Sequence, residues 1–387
     1  MPPTEKPPKA KPKPGAPGSP SRNPRYKVDI CWERSIVRNM RHNSTIALFF
    51  AVAGSIAASA HAGQEVALLP RCLFAFVPSA HAGQEVALLP RCLLAFVPSA
   101  NAADKPVSLH TKLAWQIALE RVGFSPGIID GSIGRKTEIA TREFQRVRGL
   151  PITGKLDAAT AAALGVDAGR AVKNYTVRTE DLAQIGTVPR GWLEKSRLPG
   201  LGYENLSSVL AERFHCTIGL IARLNPGRDL NRLQAGALIV VPAVDDNPNA
   251  PRGDQMEIDL SEKIVRVLDR QRKLVGLFHC SIAKDRKNLP SGEASVVVIT
   301  ENPTYTFDPE MWPEVKDVDR KLLIPAGPRN PVGRCWIGLS LPGYGIHGSP
   351  NPELIGKTGS HGCFRLTNWD ALRLAAMIRV GIKVRFV

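Results

Sequence analysis

Aromatic residues make up only 6% of the 387 residues, and the seven cysteines show no short Cys-x-x-Cys spacing. Cys31, Cys72, Cys92, Cys216, Cys280, Cys335 and Cys363 are too scattered for a zinc ribbon or a disulfide scaffold. No basic stripe interleaved with aromatics runs along the chain, which argues against nucleic-acid recognition. No apolar run reaches the roughly 20 residues that a membrane-spanning helix needs. What is abundant is proline (32) and glycine (33), the mark of many short elements joined by turns. The hydrophobic share of 43% is ordinary for a globular chain, and the length suffices for two or three domains. The net charge is +16, and residues 1–39 hold nine Lys/Arg against three Asp/Glu. A basic surface suits an anionic polymer.

Residues 1–39 are rich in Pro and Lys and cannot bury a core, so disorder is expected. Residues 40–103 begin with Met40-Arg41-His42, then an apolar stretch, then small residues at Ala58–Ala62. This order reads as an export signal, cleaved or kept as an anchor. The 20-residue segment 61–80 recurs at 81–100, differing only at Phe74 and Leu94. Two copies are too few for a stacked architecture, and the second also ends in a cleavage-like Ala100-Asn101-Ala102. Cleavage near 62 and cleavage near 102 both remain open.

Residues 104–168 carry three helical patterns. Leu109, Leu113, Ile117 and Val122 space out the first, and Ile139, Ala140, Phe144 and Val147 the second. Asp157 is placed to cap the third and Gly165 to stop it. Residues 171–243 read as strand, helices, strand, interrupted by the insertion VPRGWLEKSRLPGLG, and His215 and Cys216 are read as packing residues. A polar stretch, 244–254, forms a linker. Residues 255–387 alternate apolar and polar positions over several strands and hold one helix, NWDALRLAAMIRVG, with Asn368 as the expected N-cap.

The chemistry concentrates near the C-terminus. Between His347-Gly348 and Ser360-His361-Gly362-Cys363, two histidines and a cysteine fall within 17 positions among glycines. A thiol becomes a good nucleophile beside a base, and histidine supplies one near neutral pH. Amides at Gly362 and Cys363 could stabilise a tetrahedral oxyanion. Zinc ligation by His347, His361 and Cys363 is the metal alternative, but no usual fourth ligand lies nearby. His279-Cys280 falls mid-strand, where alternation separates the two side chains.

These residues carry a resemblance. IHGSPNPELIGKTGSHGCFRL resembles the signature of the L,D-transpeptidases of the YkuD family, over essentially all of 255–387. DGSIGRKTEIATREFQRVRGLPITGKLDAAT resembles a peptidoglycan-binding domain, and 171–243 is similar to a LysM unit. The expected fold is multidomain α+β: a small three-helix peptidoglycan-binding domain, a LysM-like module and a mainly-β YkuD-type catalytic domain. The resemblance implies Cys363 as acylated nucleophile, His347 as proton acceptor and Ser360, His361 and Gly362 as residues that shape the site. It further implies Arg365 as a carboxylate contact, with Tyr344 and Gly348 at the substrate pocket. It implies no cofactor or metal. The expected partners are peptidoglycan stem peptides and glycan, outside the cytoplasm, in the periplasm or cell wall. L,D-carboxypeptidase action at the same site, or wall binding without catalysis, are the alternatives. Ser281–Lys284 and Leu289-Pro290 depart from the family pattern, which bears on the substrate groove and not on the Cys/His pair.

Overall fold

The computed structural model describes residues 108–244, 251–312, 315–360 and 362–387. The signal-like stretch, the duplication and His361 lie outside the described residues. Three helices come first: α1 (Leu109–Arg121), α2 (Arg135–Arg148) and α3 (Ala158–Leu164). The Asp157 carboxylate accepts the Thr160 N–H at 2.8 Å, and Gly165 ends α3 in the left-handed conformation. Both are the caps that the sequence indicates.

Next come β1 (Val172–Thr176), α4 (Thr179–Leu182), α5 (Trp192–Ser196), α6 (Leu206–Arg213), α7 (Ile218–Leu224) and β2 (Leu238–Pro242). β1 and β2 pair antiparallel, Val172 opposite Pro242.

The last region holds β3 (Gln255–Asp259), β4 (Ile264–Leu268), β5 (Leu274–His279), β6 (Glu293–Glu301), β7 (Tyr305–Phe307), β8 (Leu322–Ile324), β9 (Cys335–Leu339), β10 (Gly345–His347), β11 (Phe364–Arg365), α8 (Asn368–Met377) and β12 (Lys383–Phe386). Eight strands form one mixed sheet in the order β11-β10-β9-β6-β12-β3-β4-β5, and β7-β8 stand apart as a hairpin. The segment after β5 returns to β11 through bridges Ser281–Arg365 and Ala283–Ser360, so the sheet curls until its ends meet. Along β3, Met256 and Ile258 point into the core while their neighbours are half-exposed, the period-2 pattern of a strand with one buried face. One expectation is corrected. Thr367, not Asn368, caps α8: its hydroxyl accepts the Asp370 N–H at 3.1 Å, and the Asn368 side chain is engaged elsewhere.

The three sequence modules do not keep separate cores. Leu113, Ala114 and Ile117 of α1 pack with Tyr175, Leu210 and Ile239 of the second module. Trp115, Ala118 and Leu119, on the other side of α1, pack with Phe144 and with Ile264 and Leu277 of the large sheet. The backbone at 123–125 adds to β5, with Ser125 N–H donating to Leu277 O at 2.9 Å and Leu277 N–H to Gly123 O at 2.9 Å. The edge of the sheet is thereby covered. A buried polar cluster also joins all three. The Glu120 carboxylate meets His215 Nδ1 and, at 3.5 Å, Arg373, while the His215 ring stacks on Trp369. Burial pushes the Glu120 pKa up, but His215 and Arg373 outweigh it and hold the carboxyl below its ordinary value.

A shared core predicts joint unfolding. Calorimetry should show one cooperative transition for the described regions, and Leu119→Ala should destabilise it by about 2–5 kcal/mol as a unit. Separate transitions, with only one moved by the substitution, would contradict the shared core.

Candidate active site

β10 and β11 lie parallel, with Ile346 opposite Phe364 and His347 opposite Arg365. Side chains alternate along a strand, so this register sorts the motif onto two faces. Ile346 and Phe364 are fully buried in the sheet's core. His347, Arg365 and Cys363 fall on the other face, and there they line one cavity of about 120 Å³ together with Ser360 and Gly362. Five of the expected site residues thus converge. On β9, Trp336 pairs with His347, and the two rings stack at 5.8 Å. Gly345 makes this possible, because a Cβ there would lie 2.4 Å from the Trp336 ring.

The His347 Nδ1–H donates to Gly348 O at 2.6 Å, which leaves the lone pair on Nε2. Its backbone is held too: Leu366 N–H donates to His347 O at 2.8 Å. Burial pushes the His347 pKa down to about 4. Cys363 keeps part of its surface open, and its thiol donates to Gly343 O at 3.6 Å. Burial pushes the thiol up to about 11, against the opposing pull of the Gly345 backbone and the Arg365 guanidinium. The resting pair is therefore neutral thiol beside neutral imidazole. A neutral imidazole is free to accept a proton near neutral pH, and a neutral thiol still has one to give.

The turn before the cysteine is pinned on three bonds. Ser360 Oγ donates to Cys363 O at 2.5 Å, Ser360 N–H to Ile282 O at 2.9 Å, and Lys284 N–H to Ser360 O at 2.9 Å. The departing stretch Ser281–Lys284 therefore supports the turn that carries Cys363 by its backbone, which tolerates a change of side chain. Gly348 sits behind His347, its N–H donating to Cys335 O at 3.0 Å, and does not line the cavity. Tyr344 is also outside the lining, its hydroxyl donating to Asn288 O at 3.0 Å. Tyr305, Thr306, Asp308, Met311 and Trp312 line the same cavity, and the sequence reading named none of them as site residues. Their signal was weak: the hairpin strands are three residues each.

His279 and Cys280 border a larger cavity, about 700 Å³, between α2 and the loop at 353–357. His279 Nε2 contacts Lys136 O at 3.1 Å and burial pushes its pKa down to about 3, while the Cys280 thiol is pushed up to about 12. The Cys280 side chain belongs to the sheet's core, which fits a structural part for the pair.

Comparison with known proteins joins this geometry to a family. Residues 253–385 match the family described as "L,D-transpeptidase catalytic domain", YkuD. Residues 253–385 are an L,D-transpeptidase catalytic domain. Residues 113–164 match the "Putative peptidoglycan binding domain" family, so the transpeptidase domain follows a helical region similar to that family. "Putative L,D-transpeptidase YkuD" of Bacillus licheniformis is 29% identical over 181 residues, 47% of this chain and 92% of that protein. "Putative L,D-transpeptidase YqjB" of Bacillus subtilis is 35% identical over 130 residues, 32% of this chain and 65% of that protein. The crystal structure of an L,D-transpeptidase from Xylanimonas cellulosilytica superposes with a TM-score of 0.30 at 17% identity, covering 71% of this chain and 92% of that one.

The neutral pair in this transpeptidase domain predicts a pH signature. With His347 at about 4 and Cys363 at about 11, neither group changes charge at rest across the neutral range. Alkylation of Cys363 by iodoacetamide should then rise only shallowly with pH in the wild type. In His347→Ala it should follow the thiolate fraction, roughly tenfold per pH unit below the thiol pKa. Superimposed profiles would show that His347 does not take the proton.

Proposed function

We propose that this peptidoglycan L,D-transpeptidase works by acyl transfer through Cys363. One arrangement carries the reading: the imidazole at the end of β10 and the thiol just ahead of β11 line the same cavity, with a guanidinium beside them. The thiol attacks the amide that joins an L-centre to the terminal D-residue of a donor stem peptide, and its proton goes to His347 Nε2. Backbone amides at Gly362 and Cys363 take up the oxyanion. The C–N bond then breaks, the D-amino acid leaves with the proton from His347, and a thioester remains on Cys363. An acceptor amine closes the cycle and forms a cross-link; if water takes its place, the outcome is carboxypeptidase action. Arg365 is placed to meet a donor carboxylate. His361 and Ser360 shape the turn in this reading, and no metal or cofactor enters.

Two further parts rest on the sequence. The basic start at Met40 and its apolar run support export to the compartment where the wall is built. Among the described residues no helix is long and apolar enough to cross a membrane. The strand-helix-helix-strand of 171–243 supports a second, LysM-like contact to glycan beside the helical domain.

Incubation with disaccharide-tetrapeptide muropeptides and mass spectrometry of the products tests the reaction. Wild type should release the terminal D-residue and form cross-links. Cys363→Ala should abolish both, and Cys363→Ser should be nearly inactive, because an alcohol ionises far less readily than a thiol. His347→Ala should lose roughly 10²- to 10⁴-fold. Cys216→Ala, Cys280→Ala and Cys335→Ala should keep activity. Full activity of Cys363→Ala would refute the acyl-transfer reading, and release of the D-residue without cross-links would identify the carboxypeptidase.

A further inference from the structure

The insertion at 188–202 breaks the strand-helix-helix-strand of the second region, and its place in the fold is far from idle. Its helix α5 leaves that region and packs on the β7-β8 hairpin of the catalytic domain. The Trp192 ring stacks on Phe307 with centroids 4.2 Å apart. The same ring lies 6.1 Å from Tyr305 and 5.8 Å from Trp312. Leu201 is buried in one cluster with Phe307, Leu322 and Ile324, and Trp192, Leu193 and Leu198 pack against it. The backbones join as well, Leu201 N–H donating to Ala326 O at 2.9 Å.

This contact matters because of what the hairpin does. β7 and β8 pair only with each other and take no place in the large sheet. A two-stranded hairpin is marginal alone and needs a packed face. Here the packed face is the insertion. The hairpin also borders the cavity that holds Cys363: Tyr305 and Trp312, both beside Trp192, line it, with the Trp312 indole N–H donating to the Tyr305 hydroxyl at 3.2 Å. Burial, with the nearby Cys363 as a lesser contribution, raises the Tyr305 pKa. Immediately after the insertion, Glu204 grips Arg329 through Nε at 2.9 Å and Nη2 at 2.8 Å. Arg329 in turn donates to Pro350 O at 2.7 Å, on the loop that follows His347.

We infer that the insertion is a specificity element of the active site, with Trp192 as a positioning residue. It holds the aromatic wall of Tyr305 and Trp312 at the distance that grips the donor stem peptide. The second region thereby sets donor affinity without touching the donor. This rests on the acyl-transfer reading, because the occupant of the cavity is the donor peptide. Trp192 acts through the hairpin and leaves the Cys363–His347 pair as it is.

The test compares Trp192→Ala, Trp192→Leu and Trp192→Phe in the full chain, with a tetrapeptide donor and, separately, with iodoacetamide. Trp192→Ala should raise the donor KM on the order of 3- to 10-fold, the factor that lost ring pairs correspond to. Its kcat and its rate of Cys363 alkylation should stay within about twofold of wild type, since the nucleophile and base are unmoved. Trp192→Phe keeps a ring and should restore most of the donor affinity. Trp192→Leu keeps apolar volume without the stacked ring and should raise KM in the same direction, which covers the case where Trp192→Ala fails to fold. An unchanged KM in Trp192→Ala and Trp192→Leu, with normal wild-type turnover, would overturn the inference and leave the proposed function standing. A parallel fall of kcat, alkylation rate and melting temperature, unrescued by Trp192→Phe, would also overturn it, since that is the pattern of general destabilisation. A wild-type enzyme that alkylates but turns over no donor would remove the acyl-transfer reading, and this inference with it.

Discussion

Helix α1 is buried on nearly every side, and the arrangement of the rest follows from that burial. A helix buried all round must find a partner for every face, and here Gln116 and Glu120 are buried with the apolar residues. Its Leu113 and Ile117 side is covered by the second region, and its Trp115 and Leu119 side by α2 and the β4-β5 edge of the large sheet. Three sequence modules are therefore fixed against one another by one element. The fixing has consequences at a distance. It carries Glu212 of α6 to Asn368 at the start of α8, whose Nδ2 donates to the carboxylate at 3.1 Å. The Asn368 Oδ1 accepts Arg334 N–H at 3.0 Å and lies so close to Gly348 that a Cβ there would sit 2.3 Å away. Gly348 is the residue whose carbonyl orients the His347 ring. The second region and His347 thus share a continuous set of contacts.

The site itself is governed by burial in another sense. Removing water disfavours every charged form, so the thiol and the imidazole both rest neutral. In the proposed reaction this raises the demand on the base at the moment of attack and removes the penalty of breaking a resting ion pair. It also makes the cavity's few polar groups count for more, because they act in a low dielectric. Arg365 is the one guanidinium among the lining residues, and it stands two residues from the nucleophile on the same face.

The chemistry was legible in the sequence because it is local. Ser-His-Gly-Cys and the preceding histidine lie within 17 positions, and the glycines around them announce a turn. The longer strands were legible from alternation, and α3 from Asp157 and Gly165. β10 and β11 were not, since three and two residues carry no period. Asn368 was misread as a cap because Asn and Thr both suit that position, and only the tertiary partners Glu212 and Arg334 decide between them. The insertion at 188–202 looked like a departure from a binding module, since nothing in one sequence says which distant hairpin Trp192 will meet. The sharing of cores was not readable from the sequence, because a helix buried on two sides shows apolar residues without naming their partners.

The central claim is that Cys363 carries the acyl group. Intact-protein and peptide mass spectrometry after brief exposure to a tetrapeptide donor, without acceptor and quenched in acid, tests it most directly. The account predicts a mass increase equal to the donor less its terminal D-residue, located on the peptide that contains Cys363. Turnover with no such adduct on Cys363, or an adduct on Cys216, Cys280 or Cys335 in its place, would contradict it.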